Sequence, residues 1–529
     1  VENPYSMSAL RPVMGIKLQS KIKRAIRFRA VKLLKKRTAI EAKAAEYRKK
    51  FSKRTGLPAG LPKPKTYPVL DNQFEPIYCL KRSSQIARGI WRSSLRKKYT
   101  AKAALLHRIP KPGALQKREI MEFSVPDAAF ATVLNNLLLK RNLKRFSGNP
   151  FAYRPDRNQF DAIINLKQYL RSDKIFVIQF DFKNYFDTIP HAYIKRLLDN
   201  YGIISISEAE KRVIDAFLIH KFATRKKYIL GSFSQKKEIG TPQGSSVSLF
   251  LANLANDALA KRIEGVNGQF VRYADDVVAI ANTYEDAIKI EQCFHEHCND
   301  TGLEINFEKS DGIRLLSQKA QNEISTIQKF KFLGYDFSQK GCAISDKAIE
   351  KIKSKISRLI QIYLIQYVHK HNFNHNRTLP SSSLPFFDWD LMGLVSEIRN
   401  YLYGGCSEDL IYSLLSEGKR IPPMRGLMSF YALVDSKDEL MTLDGWMVNT
   451  LRCALNKRRL IFSGKYSVIY PRFSNKSLIL GSWYDPAWNK TKFIPDPRLP
   501  SFVRGWRAAQ KYYLTFGLSE AAPPPYSGY

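Results

Sequence analysis

Residues 270–280 read Phe-Val-Arg-Tyr-Ala-Asp-Asp-Val-Val-Ala-Ile, two short β-branched runs separated by a polar step that carries adjacent carboxylates. This pattern predicts a β-hairpin whose turn presents Asp275 and Asp276. Neighbouring aspartates repel each other and gain nothing from burial, whereas a divalent cation neutralises both. Upstream, residues 175–187 read Ile-Phe-Val-Ile-Gln-Phe-Asp-Phe-Lys-Asn-Tyr-Phe-Asp, an apolar run of buried-strand character that ends at Asp181. A third carboxylate at a strand end supplies what two-metal phosphoryl transfer needs: ions roughly 3.5–4 Å apart, bridged by carboxylates from separate strands. Asp181 and Asp275 are the expected ligands.

Between these segments, residues 240–248 read Gly-Thr-Pro-Gln-Gly-Ser-Ser-Val-Ser and lead into residues 249–259, whose apolar spacing is helical. A small Gly/Ser loop at a helix start lets a nucleotide lie against backbone. Alone it is commonplace, but its place between the two acidic segments gives it weight.

In this order the motifs resemble the reverse transcriptases of the bacterial group II intron and retron lineage. Carrying the resemblance are Phe180-Asp181 to Phe186-Asp187, Thr-Pro-Gln-Gly at 241–244, Tyr273-Ala274-Asp275-Asp276, residues 302–309 and Phe332-Leu333-Gly334-Tyr335. Residues 109–113 followed by Lys117 and Arg118 look like the family's fingers, and residues 151–157 like its arginine-proline template motif. Coverage runs from about residue 90 to about 360. Glu119 departs from the proline usual in relatives, and residues 123–127 are only loosely similar. The resemblance implies an α+β right-hand polymerase with fingers, palm and thumb, a basic helical N-terminal extension and a C-terminal extension.

It also implies roles. Asp181, Asp275 and Asp276 are the catalytic, metal-binding carboxylates for two Mg2+ ions, with Mn2+ as a substitute. Lys111 and Arg118 match cations that clamp the triphosphate. The backbone at Phe182 meets the incoming triphosphate, Gln243 and Gly244 line the nucleotide and template base, and Lys309 matches a proton donor to the leaving pyrophosphate. Phe186 falls where relatives keep a ring under the sugar, excluding a 2′-hydroxyl. Arg154 meets the template backbone, Tyr273 and Arg272 frame the carboxylates, and Leu333 and Gly334 belong to the template and primer contacts.

A formal net charge of +39 over 529 residues calls for a polyanionic partner. With no long apolar span to favour a membrane, nucleic acid is the better choice. Six scattered cysteines without a CxxC pair fit a reducing, cytoplasmic compartment. Cys293, His295, His297 and Cys298 suggest zinc at first glance, but on one helix they cannot all face a single ion, so a packed palm helix is expected instead.

Four regions are expected. Residues 1–74 form a basic helical extension: Lys17 to Arg54 alternates cations with apolar residues and holds no acid before Glu41, which favours phosphate contact over a merely solvated helix. A Pro/Gly linker follows at 56–68. Residues 75–340 form fingers and palm, with a helix from Glu208 to Phe222 capped by Ser207. Residues 341–460 form a helical thumb or maturase-like region, in which Ala348, Ile349, Ile352, Ile356, Leu359 and Ile360 keep a 3.6-residue period before a polar break at 369–385. Residues 461–529 form an aromatic, basic extension. Its rings suit stacking on single-stranded bases or the inside of a small β-rich module equally. No histidine follows His375, which excludes an HNH nuclease within these residues.

The expected function is RNA-directed DNA polymerase making cDNA from dNTPs, on a dedicated noncoding RNA in bacterial antiphage defence. A group II intron maturase is the alternative and a retron enzyme the third; a vestigial polymerase acting as an RNA-binding protein is of a different class. A homo-oligomer or a partner protein is compatible with each. Priming uses an RNA hydroxyl or one from the tail, where Tyr526, Ser527 and Tyr529 stand.

Overall fold

The apolar run ending at Asp181 forms the middle strand of a five-stranded sheet, with the acidic hairpin beside it. In chain order the strands are β1 (Ala104–Pro110), β2 (Lys117–Glu122), β3 (Phe176–Phe180), β4 (Lys221–Ala223), β5 (Ser234–Gln235), β6 (Gly268–Tyr273), β7 (Asp276–Ala281), β8 (Gly312–Leu316), β9 (Thr326–Ile327), β10 (Phe330–Phe332), β11 (Tyr335–Ser338) and β12 (Gly341–Ile344). The computed structural model describes residues 11–55, 57–58, 70–110, 117–170, 174–235, 238–274, 276–306, 308, 310–317, 324–370, 388–467, 469–484 and 496–521. Lys111, Asp275, Lys309, Trp488, Phe493, most of the 56–68 linker, residues 371–385 of the polar break and the tail from 522 onward lie outside them.

Three sheets organise the mixed α+β fold, the right-hand arrangement expected. The fingers sheet has the order β2-β1-β4-β5, the palm sheet β6-β7-β3-β8-β9, and a three-stranded meander β10-β11-β12 leads into the thumb. Side chains alternate across a strand, and this alternation divides the interior in two. Phe176, Ile178, Phe180, Val277 and Ala279 face a core shared with the fingers and the N-terminal helix. Val177, Val271, Val278 and Ile280 face the other core, shared with the helix Gln159–Tyr169, the thumb and the C-terminal helices as far as Tyr512.

The N-terminal extension is a single 45-residue helix, Arg11–Thr55, roughly 67 Å long at 1.5 Å per residue. Ile22, Ile26 and Ala30, one per turn, are buried where it packs on the helices Pro76–Lys81, Ser83–Leu95 and Val125–Asn142. From Val31 to Ser52 no residue is buried, and most of its cations face solvent.

Expected boundaries shift in three places. The helix capped by Ser207 ends at Leu218, because Phe222 and Ala223 are captured as β4 by parallel pairing with β1. The division at 340/341 falls within the β11–β12 hairpin, and that at 460/461 within the helix Asp438–Tyr466. Both cuts cross continuous hydrogen bonding, so neither is a break in the chain's packing. Finally, no strand follows Ile344 among the described residues. Tyr470, Trp483, Trp506 and Tyr512 are buried in the shared core, the Trp506 indole donating to the Val434 carbonyl at 3.1 Å. The aromatics thus pack inward, but against helices and not in a β-rich module.

A buried ion cluster ties the thumb together. Arg458 is fully buried, with Nε 3.1 Å from Asp388 Oδ2, Nη2 3.2 Å from Asp390 Oδ2, and Nη1 donating to the Leu364 carbonyl at 2.8 Å. Tyr470 donates its phenol to Asp388 at 2.7 Å, and Asp388 also accepts from the Asp390 and Leu391 amides at the start of the helix Trp389–Tyr403. Removing one partner of a buried pair strands the other charge. Asp388→Ala is therefore expected to cost about 3 kcal/mol or more, read as a lowered unfolding midpoint. An unchanged midpoint would show the cluster to be energetically neutral.

Candidate active site

The strand pairing itself brings two of the predicted carboxylates together. The last pair between β3 and β7 is Phe180 with Val277, so Asp181 and Asp276 stand side by side one residue further on. Asp181 is held through its backbone: its amide donates to Ser310 Oγ at 3.1 Å and its carbonyl accepts from the Asn306 amide at 2.8 Å. Lys183 donates its amide to the Glu304 carbonyl at 2.9 Å, and Phe182 bridges to Ile305. The Gly-Leu-Glu-Ile-Asn segment is thus a clamp on the end of β3. The Phe182 ring points inward, packed near Tyr185, Phe294 and His297.

On the hairpin, Tyr273 pairs with Asp276 across a two-residue turn whose first residue, Ala274, has φ +62°. A non-glycine residue in this region is uncommon and persists where its surroundings over-determine it. Arg272 supplies part of that support: it is 1 % exposed, and its Nη1 donates to the Ala274 carbonyl at 3.2 Å. Burial lowers its pKa from the usual arginine value. Asp275 lies outside the described residues, and among those described no group of three potential ligands gathers. Carboxylate oxygens on adjacent strand ends are nonetheless the hard donors that Mg2+ and Mn2+ prefer.

The Gly-Thr-Pro-Gln-Gly loop is wedged between the fingers and the palm. Met121 of β2 donates its amide to the Gln243 carbonyl at 2.7 Å, and Gln243 Nε2 donates to Asp187 Oδ2 at 2.9 Å. Gly244 has φ +122°, and a Cβ there would lie 2.1 Å from the Met121 carbonyl oxygen. Only glycine fits this contact. Phe186 is half-buried; its carbonyl accepts from the Thr241 amide at 2.6 Å, which ties its backbone to the same loop.

Asp181 and Asp276 open onto a cavity of about 890 Å3, lined in part by Lys347, Ala348 and Lys351 of the thumb helix Asp346–Ile360. Leu333 and Gly334 line it as the two central residues of the β10–β11 turn, both with positive φ (+50° and +82°). Such a turn suits the strand twist, though a leucine there is strained. Arg314, Lys329, Lys331, Lys347 and Lys351 add cations to the wall. None of these is among the site residues expected from the motifs; the signal was present in Lys347 and Lys351, one turn apart on the face away from Ile352 and Ile356. Lys329 is shared between Asp336 at 2.7 Å and Asp346 at 2.6 Å, which holds the Asp346 carboxyl below its ordinary pKa.

Other predicted residues do not line this cavity. Arg118 is exposed on β2, opposite Ile109. Arg154 is buried, gripping the Ser147 carbonyl at 2.8 Å and Asp156 at 2.9 and 3.1 Å, so three of its five donors are engaged inside its own loop. The Cys/His helix, Tyr284–Thr301, packs Phe294 against Phe180 with ring centroids 4.4 Å apart. His297 is buried on Asn256 at 3.0 Å, its pKa lowered to about 4 mainly by burial.

Residues 109–337 match the family described as Reverse transcriptase (RNA-dependent DNA polymerase). No curated protein sequence matches the chain. Among solved structures, it is similar to apo telomerase from Candida tropicalis truncated from the C-terminal domain, with 16% identity over 46% of this chain and 55% of that one, TM-score 0.34. The likeness to apo telomerase from Candida tropicalis has 13% identity over 69% and 67%, TM-score 0.37. That to telomerase from Candida albicans in complex with a TWJ fragment of telomeric RNA has 10% identity over 74% and 67%, TM-score 0.35. The chain spans about half the length of the first of these. No described helix is long and apolar enough to cross a membrane.

Proposed function

We propose that the protein, whose residues 109–337 form a reverse transcriptase domain, extends a primer with dNTPs on an RNA template. One observation carries the proposal: Asp181 and Asp276 adjoin at the ends of β3 and β7, facing a cavity walled by lysines and arginine. Two divalent ions, Mg2+ or Mn2+, would supply activation of the primer hydroxyl and stabilisation of the leaving pyrophosphate, with Asp181 and Asp275 as ligands and Asp276 in support. Arg118 and Lys111 approach the triphosphate, Gln243 and Gly244 the base pair, and Leu333 and Gly334 the primer strand. Lys309 donates the proton to pyrophosphate. For Lys111, Asp275 and Lys309 the support is their place in the motifs.

Phe186 serves as the sugar gate. Phe186→Val is expected to raise the rNTP/dNTP ratio of kcat/KM by about 10- to 100-fold, the scale on which an apolar pocket rejects an added hydroxyl. Steady-state incorporation on an RNA template-primer measures it, and an unchanged ratio places the gate elsewhere.

A dedicated noncoding RNA and an antiphage-defence setting extend the proposal on the motif resemblance and the exposed cations of the N-terminal helix. Sequencing nucleic acid that copurifies with the protein separates the cases: a short structured RNA with attached cDNA supports this assignment, and intron RNA supports a maturase.

A further inference from the structure

We infer that Tyr153 is a positioning residue for sugar selection, bracing the Phe186 ring edge-on; the inference rests on Phe186 being the gate. A phenylalanine ring turns about two side-chain bonds and excludes a hydroxyl only if something prevents it from swinging away. Two rings flank Phe186. Tyr185, at 5.7 Å and 70° between planes, braces it from the core: it is 3 % exposed and its phenol donates to the Ala252 carbonyl at 2.6 Å. Tyr153, at 6.4 Å and 73°, stands edge-on from a half-buried loop.

Tyr153 holds this place in a conformation that a tyrosine seldom adopts, with φ +60°. The loop on either side explains how. Asn253, on the helix that follows the Gln243-Gly244 loop, donates Nδ2 to the Ala152 carbonyl at 3.0 Å. Phe151 donates its amide to the Arg272 carbonyl at 2.9 Å, and buried Arg154 is fastened to Ser147 and Asp156. Residues 151, 152 and 154 are thus tied to the strand of the acidic hairpin, to the helix that follows the nucleotide loop and to their own loop, respectively. Strain held by its surroundings points to a use for the strained side chain, and one ring that this side chain touches is the proposed gate.

The test uses the full chain on an RNA template-primer, measuring kcat/KM for rNTP and dNTP. Tyr153→Asn removes the ring while keeping a residue that tolerates positive φ; Tyr153→Gly is the second variant should the first fold poorly. Both are expected to raise the rNTP/dNTP ratio by about 10-fold, within the range for one missing apolar contact. Tyr153→Phe, which keeps the ring edge, should leave the ratio within about twofold. Adding Tyr153→Asn to Phe186→Val should raise the ratio no further than Phe186→Val alone, since the brace has no ring left to hold. If Phe186→Val shifts the ratio but Tyr153→Asn and Tyr153→Gly lower rNTP and dNTP use equally, Tyr153 merely shapes its loop and the inference is overturned. Fully additive shifts overturn it too, because Tyr153 would then act without Phe186. If no variant moves the ratio, the gate assignment itself fails.

Discussion

Asp181→Asn is expected to lower dNTP incorporation by about 100- to 1000-fold, the scale of losing a preorganised electrostatic group, while leaving RNA affinity nearly unchanged. The side chain's position should survive, because Asp181 is fixed through its backbone by Ser310 and Asn306 and by strand β3 before it. What disappears is negative charge where the proposed ions must be neutralised. RNA affinity, by contrast, draws on a net charge of +39 spread over the whole chain. Asp275→Asn combined with Asp276→Asn should behave alike. Primer extension reads the first quantity and filter binding at two salt concentrations the second. Extension near the wild-type rate would sink the assignment of the site; a parallel loss of RNA binding would mean that the substitution had damaged the fold.

Gly244→Ala is expected to reduce incorporation by about 100-fold, on the scale of displacing a substrate-positioning group. The added carbon would lie 2.1 Å from the Met121 carbonyl oxygen, a backbone atom that no side-chain rotation can move. At φ +122° the alanine is strained even without that neighbour, at a cost of about 1–3 kcal/mol. Relief requires the loop to retreat from β2, which breaks the Met121–Gln243 hydrogen bond and shifts Gln243 from Asp187. Gly464→Ala is the control: it lies in the helix Asp438–Tyr466 with nothing within 4 Å of a new Cβ, and should be neutral or stabilising by up to about 1 kcal/mol. Equal activities for the two variants would show that the tight Gly244 contact does not matter for turnover.

Local signals made the hairpin, the strand before Asp181 and the Ser207 cap legible, because each depends on neighbours in the chain. Ser207 and Glu210 form the reciprocal capping pair that their spacing announces. The same helix ends four residues before the predicted Phe222, where pairing with β1, over a hundred residues away, outweighs helical periodicity. Arg154 illustrates another limit. An arginine in a polar loop looks free to reach nucleic acid, and only the folded loop reveals that Asp156 and Ser147 take three of its five donors. Composition was equally silent on the C-terminal aromatics, since a tryptophan that stacks on a base and one that packs on a helix are written with the same letter.

Strands β3 and β7 belong to both interiors at once, their side chains shared alternately between the fingers core and the thumb core. Neither half can therefore come apart without stripping one face of the same strands, and the carboxylate-bearing ends sit in the segment that should open only with global unfolding. Fingers and thumb are thus two packed bodies that share one pair of strands. The proposed reacting centre lies on that shared pair, so the spacing of Asp181 and Asp276 is set by the register of β3 against β7, which both cores hold in place.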